Sequence, residues 1–137
     1  MFKLVQNLTV WWPVKVIEPN PEKPGSFVEH SFEVELEILD RDYSKNRDAM
    51  RVELLKKAEA DPSEENLKRV QGELDAFDTA SFTRVVKNWR GVVDAKDEVI
   101  PFSNEAFAEA LKLERIRVAL NRAYQDAIDQ DKARLGN

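Results

Sequence analysis

The sequence predicts an α+β fold, in which an N-terminal antiparallel β-hairpin or small sheet packs against a bundle of about four α-helices. Residues 28–38 alternate apolar and polar side chains at period two, and the chain beyond residue 41 repeats apolar side chains at helical spacing. A length of 137 residues suits a single domain over residues 1–137. We expect this domain to comprise the hairpin over residues 1–40, a helical part over residues 41–130 and a frayed tail over residues 131–137.

Two segments near the N-terminus are predicted to form the hairpin. Residues 8–18 carry apolar side chains at every second position, and Pro13, which has no N–H to donate, predicts an edge strand. Residues 19–26 contain three prolines and a glycine, which predict a loop. In residues 28–38 the glutamates face away from the apolar side, where we expect them to form a solvated edge. We expect His30, on the inward face, to be a hydrogen-bonded packing residue. The side chains predicted to face inward are Val10, Trp12, Val14 and Val16, then Val28, Phe32, Val34, Leu36 and Ile38.

Apolar side chains at helical spacing predict three helices in the middle of the chain. Asp40 suits the cap of the first helix, and the sequence DPSE over residues 61–64, with Asp61 as the acceptor, suits the start of the second. Residues 78–81 can restart a helix that stops at Gly91. The predicted inward faces are Tyr43, Met50, Leu54 and Ala58; Leu67, Val70, Leu74 and Phe77; and Phe82, Val85 and Trp89.

A final helix is predicted after an extended, turn-like stretch over residues 92–102. Ser103 suits the N-cap, and Phe102 and Phe107 occupy the two positions of a hydrophobic staple. A change in the phase of the apolar residues predicts a kink near residues 112–114. The side chains expected to face inward after the kink are Leu113, Ile116, Leu120, Ala123 or Tyr124, and Ala127 or Ile128.

The charge of the chain argues against binding to polyanions. Lys and Arg number 21 and Asp and Glu number 26, so the formal net charge is −5. A protein that binds nucleic acid or an anionic membrane surface without sequence preference needs an excess of cations.

The sequence has no apolar run long enough for a membrane span and no secretory leader, so we expect a cytoplasmic protein. It has no cysteine, which excludes disulfides and thiolate chemistry.

The sequence contains no strong catalytic or cofactor motif. His30 is the single histidine, so a site with two imidazole ligands cannot form. The four glycines are scattered and form no phosphate-binding loop. The acidic pair Asp40 and Asp42 could hold a divalent cation, but a helix cap with a neighbouring ion pair accounts for both residues. We therefore expect no catalytic residue, no metal and no cofactor.

Two short runs in the C-terminal half carry a resemblance. Residues 89–94 have the sequence WRGVVD, residues 99–103 have the sequence VIPFS, and an amphipathic helix with Ala123 and Tyr124 near its end follows. In this arrangement the chain resembles the tail assembly chaperones of long-tailed bacteriophages. Glu98 stands where that family often has a glycine before the apolar-Pro-Phe run, so the turn is expected to use Asp94 to Asp97 differently.

The resemblance implies a protein without enzymatic activity in the cytoplasm of a bacterial host cell. Such a chaperone binds the phage tape-measure protein, a long and largely helical chain, and keeps it soluble until tail-tube subunits polymerise around it. The tail-tube protein is a possible second partner. A two-stranded sheet that is incompletely covered also makes a homo-oligomer possible.

Candidate residues for binding a partner are apolar and mostly aromatic. Trp11 and Trp12 are neighbours in a predicted strand, so their side chains face opposite sides, and one of them is expected to be exposed or covered by a partner. For Trp89, Phe107 and Tyr124, packing in the core is the competing role. The full set of candidates is Trp11, Trp12, Trp89, Phe107, Leu111 and Tyr124.

Other functions stay open at the level of sequence. A structural tail-completion or connector protein that remains in the virion shares the size and acidity of the chain. A small acidic enzyme with a divalent metal held by carboxylates is a second alternative. A DNA-binding regulator is disfavoured by the net charge.

Overall fold

A computed structural model describes residues 1–129 of the chain. Within these residues three strands form one antiparallel sheet and four helices accompany it, which confirms the predicted α+β class. The predicted frayed tail over residues 131–137 lies outside the described residues. The elements are β1 (Leu8–Pro19), β2 (Phe27–Ile38), α1 (Arg41–Ala60), α2 (Glu64–Val85), β3 (Val86–Arg90), α3 (Asn104–Ala110) and α4 (Glu114–Ile128).

The chain groups into two compact units. The first, called here the sheet unit, comprises Met1–Ile38 and, among the described residues, 86–129. The second, called the helical unit, comprises Leu39–Val85 and contains α1 and α2. No helix within residues 1–129 combines the length and the apolar character that a membrane span requires.

The sheet confirms the predicted hairpin. β1 and β2 pair along their whole length, with Val14 opposite Phe32, and residues 20–26 form the connecting loop. Because the strand order is β1-β2-β3, β1 is an edge strand, as Pro13 predicts. Residues paired across strands share a face. Val14, Val16, Val34 and Leu36 therefore lie on one face of the sheet, where all four are buried.

The predicted third helix, from residues 78–81 to Gly91, is wrong. α2 continues without a break to Val85, and the chain then enters β3, which pairs with β2. The spacing of Phe82, Val85 and Trp89 fits a helix, but β2 supplies hydrogen-bonding partners for a strand. An irregularity in the pairing at Glu35 and Leu36 lets both Val86 and Trp89 be buried, although they are three residues apart. Gly91 therefore follows a strand rather than ending a helix.

The glutamates of β2 do not form an edge, because β3 makes β2 the central strand. Their face of the sheet carries cross-strand ion pairs instead. Glu33 Oε1 lies 2.9 Å from Arg90 Nε, and Glu37 Oε2 lies 3.6 Å from Lys87 Nζ. Glu37 is only 9% exposed, so this face is a charged network rather than an open carboxylate row.

The helical unit is a hairpin of α1 and α2. Asp40 caps α1 as predicted, accepting a hydrogen bond from the Tyr43 backbone N–H at 3.1 Å. The cap of α2 is Ser63 rather than Asp61, because Ser63 Oγ accepts from the Asn66 N–H at 3.3 Å. The Asn66 side chain is buried and donates to the carbonyl oxygens of Lys57 and Asp61, at 3.0 and 2.7 Å. These bonds satisfy carbonyls that the end of α1 leaves without a partner in the helix.

The predicted apolar seam of the helical unit is only partly correct. Leu54 and Val70 are buried as expected. Met50 and Leu67 are exposed, although the helical spacing placed them on the inward face. Two helices that cover each other along one narrow stripe leave the flanks of that stripe in solvent, which accounts for the difference.

The C-terminal helices complete the core of the sheet unit. Ser103 caps α3 as predicted, accepting from the Ala106 N–H at 3.0 Å, and the rings of Phe102 and Phe107 lie 5.5 Å apart as the staple requires. The predicted kink is a full break between α3 and α4 at residues 111–113. Leu113 and Ile128, which were expected to face inward, are exposed. The buried residues of this region are Phe107, Leu111, Ala119, Leu120, Ala123 and Tyr124.

An aromatic cluster around Trp89 joins the sheet to the segment before α3. The indole makes edge-type contacts with Phe32, Phe102 and Phe107, with ring centroids 6.4, 5.3 and 6.1 Å away. Its Nε1–H donates to the Ile100 carbonyl at 2.8 Å. The ring therefore fills the core and also holds the extended stretch before the helix against the sheet.

We predict that Trp89→Ala lowers the free energy of unfolding by about 3–5 kcal/mol, because a large buried side chain is lost and a cavity remains. Trp89→Phe should cost less, since it keeps an aromatic ring and loses mainly the hydrogen bond to Ile100. Chemical denaturation followed by circular dichroism measures both changes. A loss below about 1 kcal/mol for Trp89→Ala would contradict the burial of the indole.

Candidate functional site

The first of the two runs that carry the phage resemblance, residues 89–94, lines part of a groove in the sheet unit. This groove, called here the motif groove, has a volume of about 430 Å³. Its lining comes from all three strands, from the segment after β3, and from α3 and α4. The apolar side chains of the lining are those of Val16, Phe32, Trp89, Val92, Val93, Ala110 and Ile116.

A tight turn after β3 gives the groove one of its walls. Gly91 has φ +81°, a left-handed conformation that side-chain-bearing residues rarely adopt. Val93 then bridges to Val99, and the Ile100 N–H donates to the Val92 carbonyl at 2.9 Å. The main chain after Gly91 is thus fixed with Val92 and Val93 along the groove.

The turn uses Asp94 to Asp97, as expected from the departure at Glu98. Asp94 Oδ1 accepts from the backbone N–H groups of Lys96 and Glu98, at 2.8 and 3.0 Å. Asp97 has φ 62° and supplies the left-handed residue of the turn. Aspartate tolerates this conformation better than most residues with a side chain, so Glu98 itself does not need to be a glycine.

Charged side chains form the rim of the motif groove. Glu18 Oε2 lies 2.6 Å from Arg115 Nε, and Glu18 Oε1 lies 3.8 Å from His30 Nε2. The prediction that His30 is a packing residue is wrong, because its side chain is 63% exposed. His30 does lie on the apolar face of β2, opposite Val16, but near the loop end of the hairpin, where it borders the open groove rather than the closed core.

The six predicted partner-binding residues fall into two groups. Trp89, Phe107, Leu111 and Tyr124 are buried in the sheet unit, so they shape its surface from beneath. Trp11 and Trp12 are half-buried and lie on opposite faces of β1, where the Arg90 guanidinium stacks 4.1 Å from the centre of the Trp11 ring. Contact between a partner and any of the six stays a prediction.

Several residues of the groove escaped the sequence analysis. Val92 and Val93 belong to the run 89–94 and Ile116 to the last helix, but as aliphatic side chains they were not among the predicted partner-binding residues. Glu18 and Arg115 are far apart in the sequence, and only the tertiary fold brings them together. The one signal that could have found Val92 and Val93 is their position directly after a glycine that forces a turn.

The polar residues of the groove do not form a catalytic triad. Glu18, His30 and Ser31 all line the groove, and they are the residue types of an acid-base-nucleophile set. However, His30 and Ser31 are neighbours in β2, so their side chains leave opposite faces of the strand. Glu18 makes its short contact with Arg115. Within residues 1–129 no group of three acidic or histidine side chains is arranged to hold a metal ion.

We predict that Gly91→Ala destabilises the protein by about 1–2 kcal/mol, because the left-handed backbone opposes a Cβ atom. Space is not the cause, since a Cβ at Gly91 would meet Phe32 only at an ordinary 3.8 Å. Gly72→Ala is the matched control: it lies inside α2 with no atom within 4 Å of a Cβ, and should stabilise by about 0.5–1 kcal/mol. Urea denaturation of both variants measures the contrast. Equal effects at the two sites would contradict the backbone argument.

No protein-family model, no curated protein and no solved structure matches this chain. The resemblance to tail assembly chaperones therefore rests on residues 89–124 as they stand in the sequence. A function has to be argued from what those residues build in three dimensions.

Proposed function

We propose that the protein is a non-enzymatic phage tail assembly chaperone, which binds the tape-measure protein and keeps it soluble in the bacterial cytoplasm during tail assembly. One observation carries the proposal. Residues of the run 89–94 line an open apolar groove with a charged rim, and the run 99–103 supports that wall through the Ile100 N–H bond to the Val92 carbonyl and the bridge from Val99 to Val93.

The dimensions and chemistry of the motif groove suit a side chain of another polypeptide. A volume of about 430 Å³ admits one or two large apolar side chains. Burying one such side chain contributes about 1.5–3 kcal/mol, which is enough for a contact that later has to be released. The Glu18–Arg115 pair and His30 at the rim can bind polar atoms that flank the buried group.

The helical unit offers further apolar surface. Val52 and Leu55, three residues apart on one side of α1, are both exposed. Exposed apolar side chains that share a helix face among charged neighbours are typical of a surface that receives an amphipathic helix. A largely helical partner can therefore contact this unit as well, while the net charge of −5 keeps the complex in solution.

The proposal predicts that Val93→Asp abolishes the chaperone effect. Val93 lines the motif groove and is 47% exposed, so the protein should still fold with an aspartate at this position. The aspartate would, however, place a charge where an apolar side chain should bind. Coexpression with a fragment of the tape-measure protein measures the soluble yield of that fragment. We expect the wild type to raise the yield and Val93→Asp to return it to that of the fragment alone.

Val99→Asp is the matched control for this experiment. Val99 is the bridge partner of Val93, is 74% exposed and lies outside the groove lining. The Val99→Asp variant should therefore raise the soluble yield of the fragment as much as the wild type does. A wild-type protein that leaves the fragment insoluble would refute the proposal. Mass spectrometry of purified virions addresses the alternative, because a structural tail-completion or connector protein would be retained there.

A further inference from the structure

A second groove runs along the outer edge of β1. This groove, called here the edge groove, has a volume of about 460 Å³ and lies between β1 and one flank of α4. Its apolar surface includes Ile17 and Val118, which are 43% and 50% exposed. Arg115 lines both this groove and the motif groove, so its ion pair with Glu18 stands between the two.

The charge of the edge groove is opposite to that of the whole chain. Lys15, Arg115 and Arg122 line it, against one acidic residue, Glu114. Arg115 is paired with Glu18, but neither Lys15 nor Arg122 has an ion-pair partner among residues 1–129. A protein of net charge −5 thus presents two unpaired cations beside exposed apolar side chains.

The backbone at this place is also open to pairing. β2 occupies one edge of β1, and no strand within residues 1–129 occupies the other. Successive residues of a strand direct their N–H groups to opposite edges, and Val14 and Val16 are only 0% and 5% exposed, so the N–H groups left for a further strand are those of Lys15 and Ile17. Exposed strand edges of this kind accept an extended segment through main-chain hydrogen bonds.

The two walls of the groove define what such a segment would carry. Lys15 and Ile17 alternate with the buried Val14 and Val16, so they lie on the sheet face opposite the core. Val118 and Arg122 flank the groove from α4, which packs against β1 on the core side. Alternate side chains of an added strand would therefore meet an apolar residue and a cation on either face.

We propose that the edge groove binds an extended, acidic segment of a partner polypeptide, which adds to β1 as a fourth strand. The segment alternates or mixes apolar and acidic residues, so that its carboxylates reach Lys15 and Arg122. This inference goes beyond the proposed function, because it concerns a separate surface and holds whichever polypeptide the motif groove receives.

A short synthetic peptide that alternates valine and glutamate is the probe, and its valine–lysine counterpart is the control peptide. We expect the full chain to bind the acidic peptide and not the basic one. Hydrogen exchange of the backbone amides of Lys15 and Ile17 should slow on binding, because an added strand protects them. Added salt should weaken the binding, since the ion pairs are exposed.

The double variant Lys15→Glu/Arg122→Glu tests the charges directly. It should weaken binding of the acidic peptide by about tenfold, because two attractions become repulsions, and should create binding of the basic peptide. Lys96→Glu, at an exposed turn position outside the groove, is the matched control and should change neither affinity. Both groove residues are exposed, so the variant is expected to fold, and circular dichroism checks this.

Three results would overturn the inference. The first is equal affinity for the acidic and basic peptides. The second is binding that leaves the amides of Lys15 and Ile17 unprotected. The third is protection of those amides in the absence of peptide, to an extent that increases with protein concentration. That result would assign the edge to a second copy of the chain. None of these outcomes depends on the tape-measure coexpression, so the two proposals fail separately.

Discussion

The packing of the Trp89 side chain on the core face of the sheet is the contact on which the rest of the sheet unit depends. Its backbone pairs with Val34, and its indole packs against Phe32, Phe102 and Phe107 while donating to Ile100. β3 thus occupies the second edge of β2, and Trp89 within it holds the segment that leads to α3. Without this contact, a two-stranded hairpin would expose its apolar face, and such hairpins are marginal in water.

Both grooves are consequences of how far the helical cover reaches across the sheet. α4 packs against β1 and buries Leu120 and Tyr124, but Val118 on its flank stays in solvent. At the loop end of the hairpin, His30 and Glu18 extend past the closed core and border the motif groove. The ion pair between Glu18 and Arg115 then marks where the cover ends. Such an exposed pair contributes little to stability, so its effect is on the shape and charge of the surface.

Sequence patterns were sufficient to predict those features of the structure that depend on residues close together in the chain. The alternation in β2, the proline in β1, the cap at Ser103 and the staple between Phe102 and Phe107 all follow from neighbours in the sequence. β3 could not be predicted in the same way, because five residues are too few for a pattern and the pairing partner lies far away in β2. The period of the apolar residues indicates which face a side chain takes but not how far the core extends. For this reason the predictions placed His30 and Leu67 inward, whereas both are exposed. The grooves needed the tertiary fold, since Glu18 and Arg115 meet only there.

The residues of a motif can therefore have different tasks, since some fix the backbone that carries a surface and others supply its side chains. Trp89, Phe102 and Ser103 act as a buried wedge, a staple and a cap, so their residue types are dictated by conformation. The side chains that face a ligand in the motif groove, such as Val93 and Ile116, are ordinary aliphatic residues with no special conformation to maintain. Substitution among such residues changes the shape of a groove at little cost to the fold, whereas the wedge and the cap cannot change without loss of stability. The same scaffold can thus present differently shaped grooves, through residues whose types the conformation of the backbone does not dictate.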